Sequence, residues 1–282
     1  MSGKHTNIHI GFIGGGNMAQ AIIRGLLQAS HPAKKISVAD PVPEQQQVIA
    51  ELDGEITFTN DNASLAEQCD VLVLAVKPQI MNTVASSLGQ INRPASQVVI
   101  SVAAGITLEA MSGWFGADSA LIRVMPNQPA LIGEGMSGLC ATSHVSDSDK
   151  DQATYIMEAT GKALWFDDEK LMDGVTAVSG SGPAYFYLVM EIMQEIAEEF
   201  GFDKATARTL SVQTALGAGH VAATSDVELS ALRKRVTSPG GTTEAALKKL
   251  EDSGIRDMFR TALQAARNRS LELGKDQDSG KN

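Results

Sequence analysis

The stretch Ile8-His9-Ile10-Gly11-Phe12-Ile13-Gly14-Gly15-Gly16-Asn17-Met18-Ala19 decides the reading of this chain. Ile8 to Ile13 is a short run with the apolar character of a buried strand, and residues 17–30 read as a helix. The glycines between them fit G-x-G-x-x-[G/A]. Strand, glycine turn and helix in that order make a phosphate loop. Gly14 permits the tight turn, Gly16 lets backbone approach a pyrophosphate, and Ala19 lets the helix pack closely on the strand. The helix start at Asn17 and Met18 adds free N–H groups and the positive end of the helix dipole. A ligand-free strand–helix turn can carry the same glycines, so the flanking elements give the motif its weight.

Outward from this loop, strands and helices alternate. Ile36–Ala39, Val71–Val76, Val98–Val102 and Leu121–Met125 are apolar runs of strand length, with helical stretches near 43–51 and 62–68. Val71–Val76 is apolar throughout, as a parallel strand covered on both faces must be. The alternation predicts a parallel sheet with right-handed crossovers. Asp40 ends the second strand. An acid there binds the ribose hydroxyls of NAD and disfavours the 2′-phosphate of NADP. It is also a plausible turn residue before Pro41. No arginine follows closely, so read alone this position leans towards NAD.

The pattern changes near residue 165, and from about 170 only helices are expected. Residues 183–200 are apolar almost all round at first, as in a helix enclosed by a partner subunit. Asp203 caps a helix over 204–223. Ser225 and Glu228 have capping-box spacing and predict a helix to about 236. Helices near 242–252 and 255–273 follow, and the polar tail 275–282 is expected to fray. Two domains are therefore expected, residues 1–166 and residues 167–282.

Composition excludes several classes. Apolar residues make up 43% of the 282, as in a core-forming globular protein. With 33 acidic against 23 basic residues the net charge is −10, which leaves no general basic surface for nucleic acid. No apolar run reaches membrane-spanning length and the first residues lack a signal-peptide core, so a cytoplasmic protein is expected. Cys69 and Cys140 read as buried thiols in a reducing compartment. The five histidines show no metal spacing, and no metal is expected.

Two further motifs stand at helix starts. Ser238-Pro239-Gly240-Gly241-Thr242-Thr243 combines backbone donors, hydroxyls and a helix dipole, as an anion site requires. It is equally a helix start with Pro and Gly punctuation. Ser179-Gly180-Ser181-Gly182-Pro183-Ala184-Tyr185 either allows close chain packing or rims a pocket. Lys77 with Pro78, the Ala103-Ala104 turn and Asn127 occupy strand ends, where open α/β sheets bind ligands. Ala103 and Asn127 are expected beside the nicotinamide. Arg123, inside a strand, has a structural reading as well.

Taken together, Gly11–Ala19, Ala75-Val76-Lys77-Pro78-Gln79, Arg123-Val124-Met125-Pro126-Asn127, Ser179–Tyr185 and Val236–Thr243 resemble the pyrroline-5-carboxylate reductases over residues 8–272. The resemblance implies a Rossmann-type dinucleotide-binding domain followed by an all-helical C-terminal dimerisation domain, and homodimers, sometimes in larger rings. It implies an active site that combines cofactor loops of one subunit with C-terminal helices of its partner. NADPH is the usual family cofactor, and Asp40, where relatives often carry serine or a basic residue, leaves NADH open. Asn62 matches an asparagine near the adenosine ribose, and the Ala75–Pro78 segment lines the cofactor with its backbone. Ser238, Gly240, Gly241, Thr242 and Thr243 would hold the substrate carboxylate. The Thr243 hydroxyl would contact the ring nitrogen.

Three other readings compete. A β-hydroxyacid dehydrogenase needs a general base, commonly a lysine on the long helix, yet no lysine lies between Lys170 and Lys204. A reductase of another cyclic imine stays open. A catalytically silent dinucleotide sensor would have no need of Ser238 and Thr243.

Overall fold

The structure, a computed structural model, describes residues 5–278. An eight-stranded sheet has the order β3-β2-β1-β4-β5-β6-β7-β8. Its strands are β1 (Ile10–Ile13), β2 (Ile36–Ala39), β3 (Thr57–Thr59), β4 (Val71–Leu74), β5 (Val98–Ser101), β6 (Ala120–Met125), β7 (Gly135–Ala141) and β8 (Gly161–Trp165). β1 to β6 are parallel, β7 runs antiparallel to β6, and β8 is parallel to β7. The residues of β1, β2, β4 and β5 are all buried, which is why those strands read as continuous apolar runs.

Three strands are not apparent as apolar runs. β3 is three residues long, β7 is built on Gly-Met-Ser-Gly-Leu-Cys-Ala, and β8 alternates half-buried and exposed residues. β3 and β8 are the edge strands, where burial on both faces is not demanded; β7 lies between β6 and β8 and is largely buried, but on small residues. The strand order reverses at β1, which has β2 on one side and β4 on the other. Helices α1 (Asn17–Gln28), α2 (Pro43–Ala50), α3 (Asn62–Ala66), α4 (Pro78–Gly89), α5 (Leu108–Phe115) and α6 (Asp147–Glu158) connect or flank the strands. Two apolar clusters form the core, one around Phe12, Ile22 and Ile100, the other around Leu72, Met81 and Leu121. Cys69 and Cys140 are both buried, and burial pushes the Cys69 thiol up to about 12, which keeps it a packing residue.

After β8 the chain is helical: α7 (Met172–Val175), a π-turn over Thr176–Gly180, α8 (Gly182–Glu199), α9 (Lys204–Ala223), α10 (Leu229–Arg235), α11 (Thr242–Asp252) and α12 (Ile255–Asp278). Asp203 caps α9 by accepting the Ala205 and Thr206 N–H groups. The expected capping box at Ser225 is not formed. Ser225 Oγ accepts the Val227 N–H in a local turn, and α10 begins one residue after Glu228. A serine three residues before an acid can choose a turn instead of a cap. The last helix continues past 273 to Asp278; of the tail expected to fray, residues 279–282 lie outside the described residues.

By contacts the chain forms two compact units, residues 1–181 with 266–282, and residues 182–265. The end of α12 belongs to the first unit, where Leu273 packs on Gly105 and Ser270 donates to Asp173. In the second unit, α8 leaves Phe186, Leu188, Ile192 and Met193 exposed. The sequence reads this stretch as a helix enclosed by a partner subunit, and a single chain leaves it exposed.

Candidate active site

In the first unit the predicted cofactor residues gather at one edge of the sheet. Gly14 follows β1, Asp40 follows β2, Asn62 opens α3 after β3, Ala75 follows β4, Ala103 lies after β5, and Asn127 lies after β6. Because these six strands are parallel, all six positions lie at carboxyl ends, flanking the point where strand order reverses.

The glycines of the loop differ in what they do. Gly14 has φ +97, and a Cβ there would lie 2.8 Å from the Ala75 carbonyl oxygen. Its amide donates to the Ala39 carbonyl at 2.8 Å, joining the ends of β1 and β2. Gly14 is thus fixed by the protein's own backbone. Gly16 has an ordinary extended conformation, and a Cβ there would meet nothing within 4 Å. Its glycine leaves open space at the start of α1, a cradle that a side chain would fill. The amides of Gly16, Asn17 and Met18 have no partner among the described residues. Open space, free amides and a helix start together fit a pyrophosphate.

Asp40 is engaged by the loop itself. One carboxylate oxygen accepts the Gly15 N–H at 2.7 Å and the other accepts the Val42 N–H at 2.8 Å. Each oxygen keeps a second lone pair, so the group can still receive a ribose hydroxyl. Gln20, which sequence reading passed over, donates to the Gly15 carbonyl at 2.8 Å and so holds the following peptide, Gly15–Gly16. Gln46 bridges the Asp40 carbonyl and Asn60 Oδ1. Asn62 is half-buried in the first turn of α3, which Asp61 caps. Lys77 is exposed and caps α4 only through its backbone position, with Pro78 as the first helical residue.

Asn127 is held at both ends of its amide. Its Nδ2 donates to the Ser179 carbonyl at 3.2 Å and to Ser179 Oγ at 3.3 Å, while its Oδ1 accepts the Met136 N–H at 2.9 Å. It anchors the π-turn of Thr176–Gly180, where the Ser181 N–H reaches back to the Thr176 carbonyl. Single π-turns in helices are found frequently at functional sites. Arg123 is structural: it is buried and pairs with Glu169 at 2.8 Å, and Asp173 lies 3.9 Å from it.

In the second unit, Val236–Gly241 connects α10 to α11. Gly240 takes φ +68, and Gly241 is the N-cap with no side-chain capping bond. A Cβ on Gly241 would lie 2.7 Å from Ser238 Oγ, so the serine hydroxyl sits against the start of α11. The amides of Thr242 and Thr243, and the hydroxyls of Ser238, Thr242 and Thr243, have no partner among the described residues. Glu244, which the sequence reading also missed, accepts the Gly240 N–H at 2.8 Å. Its spacing, three residues after the N-cap, is the signal that could have found it.

Residues 169–273 match the family described as pyrroline-5-carboxylate reductase dimerisation. Residues 9–105 match the one described as NADP oxidoreductase, coenzyme F420-dependent. A pyrroline-5-carboxylate reductase of Pseudomonas aeruginosa is 46% identical over 266 residues, 94% of this chain and 96% of that one. One from Haemophilus influenzae is 43% identical, covering 94% and 97%. Among solved structures, the pyrroline-5-carboxylate reductase of Coxiella burnetii is 41% identical with TM-score 0.90, covering 94% and 98%. The Plasmodium falciparum pyrroline carboxylate reductase, solved with NADP bound, is 29% identical with TM-score 0.83, covering 95% and 99%. With full-length relatives at these identities and both glycine loops intact, this chain belongs to the pyrroline-5-carboxylate reductase family.

Proposed function

We propose that this chain is an NADPH-dependent pyrroline-5-carboxylate reductase, an oxidoreductase acting on the C=N bond of 1-pyrroline-5-carboxylate to give L-proline, the last step of proline biosynthesis. The observation that carries the reading is the 46% identity to a relative of that name across 94% of the chain. NADPH, when bound, supplies the hydride; NADH is a second donor that Asp40 leaves open.

The chain's own residues bind, orient and supply donors. Gly14 shapes the phosphate loop, and the free amides of Gly16, Asn17 and Met18 receive the pyrophosphate. Asp40 and Asn62 face the adenosine ribose, and the Ala75–Pro78 segment, Ala103 and Asn127 border the rest of the cofactor. Ser238 and the amides around Thr243 hold the substrate carboxylate, with Gly240, Gly241 and Thr242 shaping the loop. The imine carbon accepts the hydride while its nitrogen keeps or receives one proton, and the Thr243 hydroxyl contacts that nitrogen. Such a fixed orientation is the protein's share of a hydride transfer.

The same reading makes residues 167–282 the dimerisation and substrate region and residues 1–166 the cofactor domain. It makes the assembly a homodimer, with larger rings built from dimers, working in the cytoplasm. The exposed apolar face of α8 supports a partner there. Among the described residues no helix is long and apolar enough to cross a membrane.

The test is oxidation of NADPH and NADH by purified protein with pyrroline-5-carboxylate, with proline identified as product. Thr243→Ala should cut kcat by about tenfold to a hundredfold, since positioned proton donors contribute on that order or more, while leaving the cofactor KM unchanged. Unchanged kinetics would remove Thr243 from the mechanism.

A further inference from the structure

Each anion loop of this protein contains one glycine whose amide is tied by a carboxylate. In the phosphate loop Asp40 accepts the Gly15 N–H at 2.7 Å, and the next amides, Gly16 to Met18, stay free. In the second loop Glu244 accepts the Gly240 N–H at 2.8 Å, and the next free amides are those of Thr242 and Thr243. Gly241 donates to the Ser238 carbonyl at 3.0 Å. Gly240 needs its left-handed φ of +68 for this arrangement. A loop with four consecutive donors has several ways to present them. Tying Gly240 to Glu244 and Gly241 to Ser238 leaves one way, with the Ser238 hydroxyl lying against Gly241.

We propose that Glu244 is a positioning residue for the substrate carboxylate. The inference rests on the functional reading above and adds a residue to it. Glu244 does not touch the substrate in this account. It withdraws the Gly240 amide and thereby aims the Thr242 and Thr243 amides and the Ser238 hydroxyl at one point. An acid in the first turn of a helix is favoured by the dipole in any case, so the test must separate shape from charge.

Glutamine does this, because its Oε1 accepts the same N–H without the negative charge. In steady-state kinetics at saturating NADPH, E244A should raise the imine KM about tenfold, the scale of one well-made hydrogen bond. Its kcat should stay within about twofold and its cofactor KM should not move. E244Q should recover most of the loss. An unchanged imine KM in E244A, or an E244Q as impaired as E244A, overturns the proposal.

Calorimetric titration with L-proline separates this from the functional reading, because it requires no hydride transfer. A wild type that binds proline, with E244A weaker and E244Q restored, supports Glu244 even if the imine is not reduced, which would sink the reductase reading alone. A wild type that binds no proline and reduces no imine overturns both.

Discussion

Gly14 and Gly16 stand two residues apart and are glycines for different reasons. Gly14 is required by the fold: φ is +97 and the Ala75 carbonyl oxygen lies 2.8 Å from any Cβ. Gly16 is required by nothing in the protein itself, because its conformation is ordinary and its surroundings are open. Gly16→Ala should therefore leave the melting temperature within about 2 °C, given that roughly 1 kcal/mol shifts such a domain by 2–4 °C. It should weaken cofactor binding by an order of magnitude or more. Gly14→Ala should lower stability and binding together. Differential scanning fluorimetry with and without NADPH reads both effects.

Asp40 ties Gly15, and in the proposed function it would also set a negative charge beside the ribose. Asp40→Asn keeps an acceptor oxygen and removes the charge, so the NADPH-to-NADH ratio of kcat/KM should rise about fivefold to tenfold, since one unit charge at about 4 Å in water is worth about 1 kcal/mol. Asp40→Ser should raise the same ratio while lowering both specificity constants, because its shorter side chain lets the Gly15 amide go. A ratio that stays fixed in both variants would remove Asp40 as discriminator.

Among elements, legibility followed burial. β1, β2, β4, β5 and β6 sit inside the sheet, and their apolar runs announced them. β7 reads as Gly-Met-Ser-Gly-Leu-Cys-Ala because Gly138 packs under Val175 and Gly135 meets the Thr160 backbone, where side chains would clash. Small residues that permit close packing look like loop to any periodicity argument. The π-turn was hidden for another reason: its Asn127 anchor lies 52 residues away in sequence. Gln20 and Glu244 were missed because a side chain that holds a glycine peptide has no compositional mark. The glycine motifs themselves were plain.

A buried ionic cluster ties several of these elements together. Arg123 on β6 pairs with Glu169, which also accepts the Leu108 N–H at the start of α5. Asp173 on α7 lies near Arg123 and accepts the Ser270 hydroxyl from α12 at 2.7 Å. Arg233, Glu251 and Arg256 form a comparable cluster across α10, α11 and the start of α12, but at the surface. The two should differ in consequence. Removing Arg123 leaves carboxylates without their cation, one of them mostly buried, which costs about 3–5 kcal/mol. Arg123→Met should lower the urea midpoint accordingly, whereas Arg256→Met, in solvent, should barely change it. Equal midpoints for the two variants would mean that burial is not what sets their worth.

At the scale of the molecule, the second unit is unusual for a free-standing chain. The 18-residue α8 exposes Phe186 at 68%, Leu188 at 55% and Ile192 at 44% of their surfaces, and α9 adds Leu210 and Leu216. Monomeric proteins rarely show contiguous apolar patches of this kind. Burying one such side chain is worth about 1.5–3 kcal/mol, so covering several of them would supply a large part of a stable association. The match of residues 169–273 to a dimerisation family points the same way, to a homo-oligomer. The apolar start of α8 reads in the sequence as a helix enclosed by a partner subunit, and the single chain leaves it exposed; cover by a second copy and exposure to solvent are the two alternatives for it. The double variant F186E/L188E tests the difference. It places two charges on each copy of the face and should shift the light-scattering mass from that of a dimer or larger assembly to that of one chain. The first unit does not depend on α8 for its core, so NADPH binding should survive in the separated chains. Imine reduction should fall steeply, if C-terminal helices of a partner complete the site. A variant that remains oligomeric would move the interface off α8, and one that is monomeric yet fully active would show that each chain carries a complete site.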